Sequence, residues 1–362
     1  MTQPGAPPQA PRGGQAATEP RQAIRRPPSP EPRPPVAAWA HRHLLDVDAL
    51  SLEDLELVMR TATTMEGVLK REVKKVPTLR GKTVLTLFYE PSTRTRVSFE
   101  TAGKLLSADV INISVGQSSV AKGESLVDTA LTLQASAGDV LVVRHTDAGA
   151  PYLLARRLER MCVINAGDGA HAHPTQALLD VFTLCKRLGS LQGRKVAIVG
   201  DIAHSRVARS DLWAFTRMGA RVVLCAPPTL TPWDLLRDTN SDSTHPLRTV
   251  VVEAEIAKAV KDADVVIALR LQRERQQQGL VPSVREYARY WQVNERVMAL
   301  ANPNALLMHP GPMNEGVEIS AGVARGAQSV IDEQVTNGLA VRMALLFLLA
   351  TPHQSPHGEA SL

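Results

Sequence analysis

The sequence predicts an α/β chain of two doubly wound parallel-sheet domains, with an active site in the cleft between them. Three observations carry this. Near-continuous aliphatic runs alternate with segments of helical apolar spacing, the signature of parallel strands covered by helices on both faces. The alternation falls into two series, separated at Gly189–Gly193. Polar clusters recur directly after the aliphatic runs, and sheets of this kind bind ligands at the carboxyl ends of their strands.

Bulk composition sets the frame. A chain of 362 residues has room for two ordinary domains. Its 44% hydrophobic content fills their cores, and 4% aromatic content makes those cores mainly aliphatic. No apolar run reaches membrane-spanning length; "ALLFLLA" near the C-terminus reads as a buried helix. The net charge is +5, but residues 1–36 hold five Arg and two Glu, so +3 of it lies there. The rest is close to neutral, which argues against nucleic acid as a partner. Cys162, Cys185 and Cys225 are far apart, so no disulfide framework or zinc knuckle is expected, and a reducing cytoplasm fits.

Residues 1–36 carry 11 of the 25 prolines and are expected to be a disordered tail. They lack the apolar stretch of a secretory signal, and so much Pro argues against an amphipathic transit peptide. Order should begin near Trp39. "SLEDLELVMRTATTMEGVLKRE" has helical spacing, and Ser51 with Asp54 resembles a capping box. Strands are predicted at 83–89, 109–114, 139–143 and 161–165, with helices near 94–107, 124–137, 149–159 and 174–188. The second series starts at "RKVAIVGD" and predicts strands at 195–200, 221–225, 249–252, 264–269 and 305–309, with helices between. A last helix, about 331–350, is apolar enough to return to the first domain.

The strand ends carry the chemistry. "YEPSTRTRVSFE" brings Ser92, Thr93, Arg94, Thr95 and Arg96 to a strand–helix junction. Unpaired N–H groups and a positive dipole end await an anion there, and hydroxyls and guanidiniums add donors that suit phosphate. An ordinary Ser/Thr cap followed by a solvated basic turn reads the same residues differently. The stretch is not a P-loop. Later strand ends supply Arg144 and His145, "NAGDGAHAHPTQ", "GDIAHSRVARS", "RLQRER" and "HPGPMNEGVEI". "VAIVGD" could begin a dinucleotide site, yet only Gly200 is present in place of G-x-G-x-x-G. His171 and His173 form an H-x-H pair, but Pro174 follows at once and no third metal ligand stands at familiar spacing. A Ser-His-Asp hydrolase is disfavoured because no G-x-S-x-G elbow occurs.

"FYEPSTRTRVSFE", "SSVAKGESLVDT", "VVRH", "GDGAHAHPTQALLD", "VGDIAHSRVARS", "RLQRER" and "MHPGPMNEGVEI" stand in an order that resembles the aspartate and ornithine carbamoyltransferase family over about residues 40–350. The resemblance implies carbamoyl transfer from carbamoyl phosphate without a cofactor or metal, an early step of de novo pyrimidine biosynthesis. "HPGP" stands where the ornithine enzymes resemble one another in H-C-L-P, and Arg206 and Arg270 suit the two carboxylates of L-aspartate. The resemblance implies a phosphate cradle of Ser92, Thr93, Arg94, Thr95 and Arg144. It puts Thr95, Arg144 and His173 around the carbamoyl oxygen, with Gln176, Pro310 and Gly311 facing the carbamoyl NH2. Arg206, Arg270 and Gln272, with Lys122, would hold aspartate. Ser118 and Lys122 would reach a neighbouring subunit's site, as part of a homotrimer. The implied division is a tail at 1–36, a carbamoyl-phosphate domain at 37–189 with the helix near 331–350, an aspartate domain at 190–330, and a tail at 351–362. Relatives associate with a regulatory chain or with dihydroorotase, and either is a possible partner here. Glu315 departs from the pattern, since many relatives carry Arg there, and it puts the local loop pose in doubt. A pseudoenzyme would be expected to lack Arg94, Arg144 or His173, and all are present.

Overall fold

The computed structural model describes residues 39–113, 123–237, 245–272, 280 and 283–351, together with residues 1, 2 and 5. Helix α1 (Leu52–Leu69) opens on the expected capping box: Asp54 N donates to Ser51 Oγ at 3.1 Å and Ser51 N to Asp54 Oδ2 at 2.9 Å. Then come β1 (Thr83–Phe88), α2 (Thr93–Leu105), β2 (Asp109–Ile113), α3 (Leu126–Ala135), β3 (Val140–His145), α4 (Ala150–Arg157), β4 (Cys162–Asp168) and α5 (Pro174–Leu188). The four strands are parallel in the order β2-β1-β3-β4. The middle of "TVLTLF" is buried on both faces, which is why its apolar run is nearly unbroken. The edge strand β2 is largely exposed and tolerates Asp109 and Asn112.

The second series follows as β5 (Lys195–Val199), α6 (Arg206–Arg217), β6 (Arg221–Cys225), α7 (Trp233–Leu236), β7 (Val251–Glu253), α8 (Ile256–Val260), β8 (Val265–Ala268), α9 (Val284–Trp291), α10 (Glu295–Met298), β9 (Leu306–Met308), α11 (Ala321–Ala324) and α12 (Ile331–Ala350). Its five strands are parallel in the order β7-β6-β5-β8-β9. Chain order reverses between β1 and β3 in the first sheet and between β5 and β8 in the second. Such switch points open crevices at strand carboxyl ends.

Helix α12 packs on α1, α2 and α5, so the chain does return to the first sheet. Contacts between α5 and α6 join the two halves, and one buried cluster runs from Phe182 to Phe215. Among the described residues, no helix is long and apolar enough to cross a membrane.

The expected elements hold to within a few residues, with one instructive difference. β4 continues to Asp168 rather than stopping at 165. Its polar end is buried because Asn165 Nδ2 donates to Asp168 Oδ1 at 2.9 Å, and Asn165 Oδ1 accepts from Gly167 N at 2.8 Å. The sequence stretches 1–36, 114–122 and 352–362 include tail and loop expectations that fall almost wholly outside the described residues.

Candidate active site

Strand ends of both sheets face one cleft of about 420 Å³. Ser92, Thr93, Arg94, Thr95, Arg144, His173, Gln176, Arg206, Arg270, Gln272, Pro310 and Gly311 all line it. Ser118 and Lys122 lie outside the described residues.

The cluster after β1 is built as its composition suggests. Ser92 is the N-cap of α2; its Oγ accepts from Thr95 N at 3.4 Å and lies 3.0 Å from Thr95 Oγ1. The first turn of α2 holds no acidic residue, so its dipole end is uncompensated and ready for an anion. Desolvation of its guanidinium in the cleft wall lowers the pKa of Arg94 from its ordinary value, though the side chain stays exposed to the cleft. The backbone of Gly311, at φ +64°, passes so close that a Cβ there would sit 2.7 Å from Arg94 Cζ. Glycine therefore serves both the left-handed turn and the close approach.

Behind Gly311 the loop is braced. His309 Nδ1 accepts from Gly311 N at 2.8 Å, and its Nε2 lies 3.3 Å from Glu318 Oε1. Glu315 turns to Arg325 at 2.6 Å and does not line the cleft.

Glu90 organises the charges, and sequence reasoning missed it. Its carboxylate accepts from Arg144 Nη2 at 2.5 Å, and from Arg206 Nη1 at 2.8 Å and Nη2 at 2.7 Å. Arg144 also donates to Ala166 O, and Arg206 to Gly169 O. Arg206 thus lines the cleft with its guanidinium held in a fork by Glu90, and it opens α6 rather than ending a strand. Gly167, at φ +117°, leaves room for it: a Cβ there would lie 2.9 Å from Arg206 Cζ.

The two histidines of the H-x-H pair diverge. His171 Nδ1 lies 3.1 Å from Asp168 Oδ2, and that hydrogen bond raises the pKa of its ring. His173 caps α5 ahead of Pro174 and lines the cleft; its N donates to Ser210 Oγ at 3.0 Å, and Thr175 Oγ1 lies 3.5 Å from its Nδ1. Among the described residues, no group of three or more His, Cys, Asp or Glu could hold a metal ion. On the second sheet, buried Asp201 accepts from Gln272 N at 3.1 Å and contacts His204 Nδ1 at 2.8 Å, joining the ends of β5 and β8.

Further polar residues reach the cleft unread by the sequence analysis: Ser98, Gln334 and Arg342. They sit on helices whose apolar pattern masks them, and only a helix's three-dimensional face would have exposed them.

Comparison with known proteins adds a second line of evidence. Residues 42–186 match the family model described as aspartate/ornithine carbamoyltransferase, carbamoyl-P binding domain, and residues 192–349 match its Asp/Orn binding domain. The chain is 57% identical to the aspartate carbamoyltransferase catalytic subunit of Dehalococcoides mccartyi strain CBDB1, over 86% of this chain and 93% of that one. The corresponding subunit of Roseiflexus sp. strain RS-1 is also 57% identical, with 85% and 95% covered. Among solved structures, the aspartate transcarbamoylase of Trypanosoma cruzi in complex with carbamoyl phosphate superposes with a TM-score of 0.77 at 31% identity, covering 87% of this chain and 98% of that chain. The ornithine carbamoyltransferase of Pyrococcus furiosus superposes equally, at 0.77 and 30%, with the same coverage.

Proposed function

This chain belongs to the aspartate/ornithine carbamoyltransferase family, and from that premise we propose that it transfers the carbamoyl group of carbamoyl phosphate to the amine of L-aspartate. The products are N-carbamoyl-L-aspartate and phosphate, in an early step of de novo pyrimidine biosynthesis. The observation that carries the reading is the meeting, in one cleft, of the donor-rich start of α2 with the arginines of the second sheet. The fold alone does not choose between aspartate and ornithine, because both kinds of enzyme superpose equally well. The 57% identical relatives and the cationic lining of the second half favour aspartate.

In this reading the phosphate sits on Ser92, Thr93, Arg94, Thr95 and Arg144, where hydroxyls, guanidiniums and the α2 dipole all favour negative charge. Arg206, Arg270 and Gln272 hold the aspartate carboxylates. The neutral amine attacks the carbamoyl carbon, and a tetrahedral oxyanion develops against Thr95, Arg144 and His173. With Nδ1 of His173 accepting from the Thr175 hydroxyl, Nε2–H is the ring donor to the oxyanion. The C–O bond to phosphate then breaks, and the departing phosphate accepts the amine proton. No separate general base is required; catalysis is positioning together with charge stabilisation.

The same reading assigns 37–189 with α12 to carbamoyl phosphate and 190–330 to aspartate; the packing of α12 on α1, α2 and α5 supports that division. It makes the protein a cytoplasmic homotrimer, with Ser118 and Lys122 completing a neighbour's site, and leaves dihydroorotase or a regulatory chain as possible further partners. The test is a product assay of purified protein with carbamoyl phosphate and either L-aspartate or L-ornithine. N-carbamoyl-L-aspartate is expected; citrulline formed in its place would overturn the assignment.

A further inference from the structure

Buried beneath the cleft is a carboxylate that touches no substrate position. Asp180 is 1% exposed and stands one helical turn after Gln176 on α5. Gln176 Nε2 donates to its two oxygens at 3.2 and 3.3 Å, and Gln334 Nε2, from α12, donates to Oδ1 at 2.6 Å. Gln334 Oε1 in turn accepts from His309 N at 3.0 Å, at the entrance to Pro310–Gly311.

A glutamine amide has a donor end and an acceptor end, and the partner of one end decides where the other points. A carboxylate only accepts. Asp180 therefore draws both Nε2 groups inward. Gln176 is left with Oε1 as its free acceptor, and Gln334 with the acceptor that pins His309. Burial raises the pKa of Asp180; the two glutamine donors and, from α12, buried Arg342 oppose this and favour the ionised form, while from α6 buried Asp211 also faces Asp180.

We propose that Asp180 is a positioning residue that makes the site selective for a carbamoyl over an acetyl group, by fixing Gln176 and the Pro310–Gly311 backbone as hydrogen-bond acceptors. This rests on the carbamoyl-transfer reading above. A carbamoyl NH2 satisfies those acceptors. An acetyl methyl of nearly the same size leaves them unpaired, and a site built to hydrogen-bond a group rejects the analogue that lacks it. Asp180 acts through its two glutamines and makes no bond to the reacting atoms.

The test compares carbamoyl phosphate as substrate with acetyl phosphate as competitive inhibitor, in the full-length protein. Asp180→Asn keeps the shape but gives the hub a donor, so Gln176 can present either end to the cleft. The KM for carbamoyl phosphate is expected to rise about 10- to 100-fold, the effect of leaving a buried polar group mismatched, while the inhibition constant of acetyl phosphate changes less than about threefold. In a Gln176→Ala background the same substitution should have a much smaller effect, because its main lever is gone. Gln334→Met removes the other arm and is expected to give a smaller loss with the same selectivity; it also serves if Asp180→Asn does not fold. A folded variant that loses both ligands equally, or neither, overturns the proposal. A wild-type protein that makes no N-carbamoyl-L-aspartate overturns the underlying reading and the proposal with it.

Discussion

Arg94 and Gly311 meet at the mouth of the phosphate cradle, and each sets the other's tolerance. Arg94 is exposed to the cleft, and no carboxylate occupies the first turn of α2 beside it. Arg94→Ala removes charge from the place where the leaving group becomes a free dianion. It is expected to lower kcat/KM for carbamoyl phosphate by at least about 10²-fold, with a thermal midpoint close to the parent's. Near-full activity in a folded variant would remove Arg94 from the cradle. Gly311→Ala acts on the same spot by shape. The left-handed backbone costs an L-residue roughly 1–2 kcal/mol, and the new methyl must displace the guanidinium. Its expected signature is a raised KM for carbamoyl phosphate with the KM for aspartate little changed, read from initial rates against each substrate. Equal changes in both would mean that Gly311 does not act through Arg94.

At the scale of elements, Asp46 ties the segment before α1 to α6. Its Oδ1 accepts from Val47 N at 2.7 Å and from Ser210 Oγ at 2.8 Å, and Ser210 Oγ accepts from the backbone N of His173. Burial raises its pKa from 3.8 to about 6. A raised carboxyl pKa means that the folded state holds the proton more tightly, so its stability contribution is present below pH 4 and lost as pH rises through 6. Asparagine can accept the same two bonds without the charge. Asp46→Asn is therefore expected to be more stable than the parent at pH 7.5, by up to about 3 kcal/mol, with the gain fading towards pH 4 in urea titrations. His43 works in the opposite sense: burial lowers its pKa to about 4, so its contribution is lost as pH falls through that value. It is common to both chains and cancels in the difference. A variant no more stable at pH 7.5 would mean that the Asp46 charge carries no penalty. Such ties explain how far the sequence could be read. The strands were legible because double-sided burial writes them as aliphatic runs, and α12 because it is apolar nearly all round. Arg94, Arg144 and Arg270 were legible because they follow those runs. Glu90 stood inside the most informative stretch and was not, because its role exists only where Arg144 and Arg206 converge on it. Asp180 and Gln334 lie 154 residues apart, and no local pattern joins them.

At the scale of the whole molecule, Glu90 bridges the two halves of the chain, since it holds Arg144 at the end of β3 and Arg206 at the start of α6. The cleft is therefore a property of both sheets together. The resemblance extends that dependence to a second copy, through Ser118 and Lys122, which the sequence puts between β2 and α3. If the loop of one subunit completes the cradle of the next, two inactive proteins can repair each other. Lys122→Ala damages only the loop, and Arg94→Ala only the cradle. In a closed trimer containing both kinds, one of the three sites can draw an intact cradle from one subunit and an intact loop from its neighbour. Mixing the two variants, dissociating them and allowing them to reassociate should therefore restore part of the activity that neither has alone. Wild-type subunits taken through the same cycle show how much is lost in handling. Recovery by the wild type, with mixtures that stay as inactive as their parents, would mean that Lys122 serves its own chain or none.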